Sequence, residues 1–247
     1  MTNRPAGTGA PSTGAGPGPF LAAFGVVLLL IGSYRGLVVA PPETFMGDVQ
    51  RIMYVHVPTA WNAMLVLTFA FSCALAFLWR GSWAWDNRME AAVEGGVVLS
   101  VLLCMQGAIW AKPTWGVWWD WDPRLTTTAV LVFLFMGILA LRHFVDDPVK
   151  RATWSAVAVV IAFVDVPIVY YSVRWWNSLH QLQSTPETVS SVFHWPLRIN
   201  AFGVLFLMSG LIAMRTRIAA LRLFAELAPP LPEPVEVGAA VAREAGS

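Results

Sequence analysis

AAVEGGVVLSVLLCMQGAIWAKPTWGVWWDWDPRLTTTAVLVFLFMGILAL, residues 91–141, is the stretch that decides the fold. Two apolar runs, 91–110 and 125–141, flank a link that sets Trp110, Trp115, Trp118, Trp119 and Trp121 among Lys112, Asp120, Asp122 and Arg124. At a 1.5 Å rise, roughly 17 to 25 residues cross the ~30 Å hydrocarbon layer, so each run spans a membrane as a helix. Hydrocarbon offers the backbone no outside partner, which makes the helix the natural form. The link is then a loop at the membrane boundary, and its indoles have two readings. They form an aromatic belt at the lipid–water boundary, or they present flat apolar faces to a planar aromatic ligand. A belt needs no order and no interleaved acids and bases. Asp122 and Arg124 read instead as a fixed local turn, the carboxylate accepting backbone N–H groups ahead of the helix begun by residues 126–128.

Four more apolar segments lie at 20–39, 58–79, 154–171 and 197–214. The chain of 247 residues is 57% hydrophobic and 13% charged, about half the charge of an average soluble domain. The expected fold class is all-α, a polytopic integral membrane bundle of six transmembrane helices. Its divisions are a disordered cytoplasmic tail at 1–19, a membrane domain at 20–214 with an outer loop at 110–126, and a basic turn with a disordered cytoplasmic tail at 215–247. Residues 1–19 lack the basic start and apolar core of a secretory signal. Ten basic residues, among them Arg80, Arg88, Arg142, Arg151 and Arg215, gather on one side, and six, Arg35, Arg51, Lys112, Arg124, Arg174 and Arg198, on the other. The positive-inside rule then puts both termini in the cytoplasm and the tryptophan loop outside. A net charge of +1 gives no footprint for nucleic acid. No phosphate-binding glycine loop predicts ATP hydrolysis, and Cys73 and Cys104, both in apolar runs, predict neither a disulfide nor a zinc site.

Topology sorts the four histidines. His143 reads as an interfacial residue at the inner end, whereas His56, His180 and His194 share the outer side with the tryptophans. His56 precedes the helix-starting Pro58, His180 sits on a short interfacial helix, and His194 precedes Pro196. Two neutral imidazoles from different loops can clamp a porphyrin iron against a tryptophan platform, with Lys112, Arg51 or Arg124 neutralising its propionates. Each histidine also reads as a solvated or capping residue, and spacing alone leaves that choice open. Asp165, at membrane depth in FVDVPIVYY (163–171), reads better as a protonated acid bonded to a neighbouring helix than as a proton relay. Glu94 reaches the inner interface. The inner half otherwise shows few polar groups to line a permease path, and no histidine lies within a span, as a redox haem inside the bundle requires.

WAKPTWGVWWDWDPRLT (110–126) resembles the WWD signature of the haem-handling proteins of cytochrome c biogenesis. RIMYVHVPTAWNA (51–63) is similar to their His-Val-Pro element, and YYSVRWWNSLHQ (170–181) to a segment of the haem exporter protein C family of the bacterial cytochrome c maturation system. The resemblance covers about 20–214. It implies a multi-pass protein of the bacterial inner membrane, not an enzyme, that binds haem b non-covalently and transiently at its outer face. The implied axial ligands are His56 and His180. The implied cradle is Trp115, Gly116, Trp118, Trp119, Trp121, Asp122 and Arg124. The implied partners, besides membrane lipid, are a membrane-anchored periplasmic haem chaperone that receives the haem, a small membrane subunit, and the ATPase and permease subunits of an ABC transporter. His194 has no counterpart in the family pattern. Asp120, Pro123 and the segment HQLQST depart from it. The related haem lyases share the signature but are longer, with more spans, so a lyase-like protein is the nearer alternative and a permease the further one.

Overall fold

The computed structural model describes residues 16–180 and 189–228. Helix α1 (Gly18–Tyr34) runs on as a π-helical turn, Arg35–Val39. A 3-10 turn, Asp48–Ile52, leads into α2 (Met53–Arg80), and α3 (Trp83–Trp115) and α4 (Pro123–Phe144) follow. The fifth span is two helices, α5 (Pro148–Ala162) and α6 (Asp165–Trp175), and α7 (Ser191–Glu226) is the sixth. Among the described residues there is no strand, and the six spans are long and apolar enough to cross a membrane. The expected all-α six-span bundle is what forms. Residues 1–15 and 229–247 of the expected tails lie outside the described residues.

Local chemistry explains the ends of these helices. Asp122 and Asp147 cap α4 and α5, each followed by a proline whose missing N–H no helix requires there. Gly81 and Gly116, at φ +62° and +83°, end α2 and α3 in the left-handed conformation.

Two boundaries differ from expectation. Pro58 does not start α2, because the 3-10 turn lets the helix begin five residues earlier at Met53. The carbonyl of Tyr54, which Pro58 cannot reach with an N–H, instead accepts from Asn200 Nδ2 of α7 at 2.8 Å. A second buried amide, Asn62, donates to Pro58 and Ala201 carbonyls and makes a further tie between α2 and α7. His56 is consequently inside a span, as are His143 in α4 and His194 in α7, contrary to the expectation that no histidine lies within one. The basic turn expected from 215 is also absent, since α7 stays helical to Glu226.

Helix α7 also packs closely on α1. Gly18, Gly25 and Gly32 repeat every seven residues along α1 and are all buried. A Cβ on Gly25 would stand 2.3 Å from the Leu207 amide nitrogen of α7, so only glycine allows this backbone-to-backbone approach. At the other end from the tryptophans, Asp86, Glu90 and Glu94 line one face of α3. Arg142 of α4 donates to Asp86 at 2.8 Å and Glu90 at 2.7 Å, and Arg215 of α7 bridges Glu90 and Glu94. Glu94 therefore belongs to an ion network rather than a free interface, and this end is more polar than its sequence suggested.

The break in the fifth span makes the site possible. Pro167 cannot bond the Phe163 carbonyl, which the Val166 amide takes at 3.0 Å, and the chain bends. Phe163 stacks on Phe71 of α2 with ring centres 4.2 Å apart. Below that stack α5 packs on α2; above it α6 leans on α4.

Candidate functional site

A cavity of about 480 Å³ fills the space that α6 leaves, between α2 and α3 on one side and α4 and α6 on the other. That volume falls within the usual range for small-molecule sites. Small residues shape the α2 and α3 wall, Ala60 and Ala63 on the first and Gly107 and Ala111 on the second. Met64, Leu67, Leu131, Val166 and Val169 continue it downward as an apolar slot. From His56 to Leu67 the slot follows α2 for about 16 Å.

His56 and His180 stand across the mouth, ring centres 6.4 Å apart with planes inclined at 31°. His56 is 9% exposed. Its ring meets Trp110 edge-on at 5.4 Å, and Gly107 leaves room beside Cε1, where a Cβ would come to 3.4 Å. Its Nδ1 has no hydrogen-bond partner among the described residues. His180 lies in an irregular segment after α6, not on the short helix expected, with its ring 6.5 Å from that of Trp115.

Asp122 holds that segment. Oδ2 accepts from the Leu179 amide at 2.7 Å, and Oδ1 accepts from the Arg124 amide at 2.9 Å and the Ser178 hydroxyl at 3.0 Å. Ser178 Oγ in turn accepts from the His180 amide at 3.0 Å. Asp122 is 4% exposed and outside the cavity wall.

The cations divide clearly. Arg51 is committed elsewhere: it pairs with Asp48 and donates to the Gly36 and Ala40 carbonyls at the end of α1. Lys112 donates to the Gly116 carbonyl at 2.9 Å, closing the helix end. Arg124 alone of the three lines the cavity; Nη2 donates to the Tyr170 carbonyl at 2.9 Å, and its buried Nε has no partner among the described residues.

Of the indoles in the loop, Trp115 and Trp119 line the cavity. Trp118 and Trp121 do not, at 60% and 75% exposed, and neither does Gly116. Trp110, from the same stretch, and Trp61, which was not singled out from sequence, complete the aromatic wall. The signal was there in the small residues at helical spacing, 60 and 63 on one helix and 107 and 111 on the next. Met46 also reaches the wall from the loop 40–47. Glu43 folds that loop by accepting the Phe45 and Met46 amides at 2.7 Å each, which holds its carboxyl below the usual carboxylate range.

The remaining candidates lie elsewhere. His194 bonds the Val189 carbonyl through Nε2 at 2.8 Å, and His143 is at the opposite end, by the ion network. Asp165 opens α6, buried, with Oδ2 unpartnered among the described residues, so the expected bond to a neighbouring helix is not made.

Residues 14–227 match the family model described as heme exporter protein C. The heme exporter protein C of Escherichia coli strain K12 is 36% identical over 201 residues, 81% of this chain and 82% of that protein. That of Bradyrhizobium diazoefficiens is 37% identical over 81% of this chain and 78% of its own length. A ccmC-like mitochondrial protein of cytochrome c biosynthesis from Marchantia polymorpha is 31% identical over 67% of this chain and 70% of its own.

Proposed function

Since the chain belongs to the heme exporter protein C family, a family of multi-pass inner-membrane proteins in cytochrome c biogenesis, we propose that it holds haem b, non-covalently and transiently, in the cavity beneath the tryptophan loop. His56 and His180 are the axial ligands. The carrying observation is the 6.4 Å between their ring centres. With metal–nitrogen bonds of about 2 Å on each side, two imidazoles on one metal have centres about 6 Å apart.

The porphyrin edge lies in the apolar slot, Trp115 and Trp119 shield its face, and the free Nε of Arg124 offers a donor to a propionate. Trp118 and Trp121, exposed beside the mouth, meet lipid or the haem-accepting partner. The mouth faces the periplasm and both termini the cytoplasm, a reading supported by the excess of arginine at the ion-network end. The protein passes its haem to a membrane-anchored periplasmic chaperone, assisted by a small membrane subunit and by the ATPase and permease of an ABC transporter. It performs no chemistry on the cargo: binding and presentation are the work of the residues named.

The test is an absorption spectrum of protein purified with its haem. His56→Ala and His180→Ala should each lose the six-coordinate low-spin signature and retain less haem, with His194→Ala and His143→Ala unchanged. A wild-type spectrum in both of the first two variants would remove the axial assignment.

A further inference from the structure

The acid of the tryptophan loop touches no part of the cavity, yet all of its hydrogen bonds converge on the loop and the segment that end at the mouth. We propose that Asp122 is the positioning residue for His180, fixing the second half of the clamp through the backbone that carries it. The inference rests on the haem reading above.

Three features carry it. Asp122 is buried and accepts three bonds, one from its own helix start and two from residues 178 and 179. The Ser178 hydroxyl that it orients receives the His180 amide, so the path from carboxylate to ligand backbone is two hydrogen bonds long. The segment has no helix of its own to hold it, since α6 ends at Trp175. A carboxylate is the group that suits this place, because it accepts through both oxygens at once, whereas an amide of the same shape turns a donor toward one of the three N–H or O–H groups. The neighbouring Arg124 adds a parallel strut: its guanidinium bonds the Tyr170 carbonyl, tying the start of α4 to α6 just before the segment begins. The loop 116–122 and the ligand segment thus share one anchor, and displacing the loop displaces His180.

The experiment compares wild type with Asp122→Asn, Ser178→Ala and His180→Ala, as full chains in detergent. In haem-free protein, amide hydrogen exchange is read at Leu179 and His180. Loss of a charge-assisted bond should speed exchange at Leu179 by about ten- to a hundredfold in Asp122→Asn, and Ser178→Ala should speed His180 alone. In haem-loaded protein, Asp122→Asn should reproduce the high-spin spectrum of His180→Ala, and millimolar imidazole should return both to low spin. Circular dichroism should show unchanged helix content. Unchanged exchange at Leu179, or a wild-type spectrum in Asp122→Asn, overturns the proposal. Should Asp122→Asn fail to fold, Ser178→Ala decides: unaltered exchange at His180 refutes the relay. A wild-type spectrum in His180→Ala would instead defeat the ligand assignment, leaving the exchange data to judge the anchor.

Discussion

Replacing Asn200 with alanine tests the most unusual join in the bundle. Asn200 is fully buried on α7, and Nδ2 supplies the Tyr54 carbonyl with the donor that Pro58 withholds. Stranding a buried carbonyl costs about 1 to 3 kcal/mol, while hydrogen bonds between membrane helices average nearer 0.6 kcal/mol in double-mutant cycles. The single change also removes packing volume, so its total cost cannot identify the bond. Pro58→Ala can: it returns an N–H four residues after Tyr54 and lets α2 satisfy its own carbonyl. Alone it should be close to neutral, because the carbonyl has two lone pairs and Asn200 already fills one. Combined with Asn200→Ala it should recover about 0.5 to 1.5 kcal/mol of the loss, which a double-mutant cycle isolates from the packing term. Reversible unfolding in mixed detergent, followed by circular dichroism, measures all four corners. Additive losses, with no recovery in the double variant, would refute the account of why Asn200 is there.

Other outcomes follow from the same coordinates. Gly25→Val should separate α1 from α7, because its side chain meets backbone rather than a flexible side-chain tip; the loss should exceed about 2 kcal/mol in the same unfolding assay. Arg142→Met should destabilise the opposite end by about 3 kcal/mol or more, leaving Asp86 and part of Glu90 buried without their cation, while the haem spectrum stays as in wild type. Trp115→Ala with Trp119→Ala should lower haem retention, and Trp118→Ala with Trp121→Ala should leave retention intact, both read as the ratio of haem absorbance to protein. Gly107→Leu should crowd the His56 ring and fill the slot, cutting haem uptake with little change in helix content by circular dichroism.

The spans were legible because hydrocarbon imposes one rule on every backbone group, and a run of apolar residues is a direct statement of that rule. The histidine pair was legible only as residue type and side of the membrane. That His56 and His180 face each other depends on how α6 bends away from α2, a consequence of Pro167 and of the Phe71–Phe163 stack, neither of which a single sequence can place. The tryptophan-rich link misled in a specific way. Five indoles in twelve residues look like one surface, but α3 continues to Trp115 and the chain then turns at Gly116, which divides them between the cavity and the exterior. Arg51 looked available to an anion because its use as a cap on α1 involves partners 11 and 15 residues away. Glu94 looked like a residue that simply reaches the interface, since its cation, Arg215, comes from α7.

The cavity has two walls that are anchored very differently. The α2 and α3 side is welded to the rest of the bundle by the Asn62 and Asn200 bonds and, through α7, by glycine contacts to α1. The α6 side hangs from the break at residues 163–164 below, and above from Arg124 and Asp122. A jaw built this way has one half locked into the bundle and one half held at its two ends. On the haem reading proposed above, the second half carries His180, so its grip depends on the lip that Asp122 and Arg124 tie down.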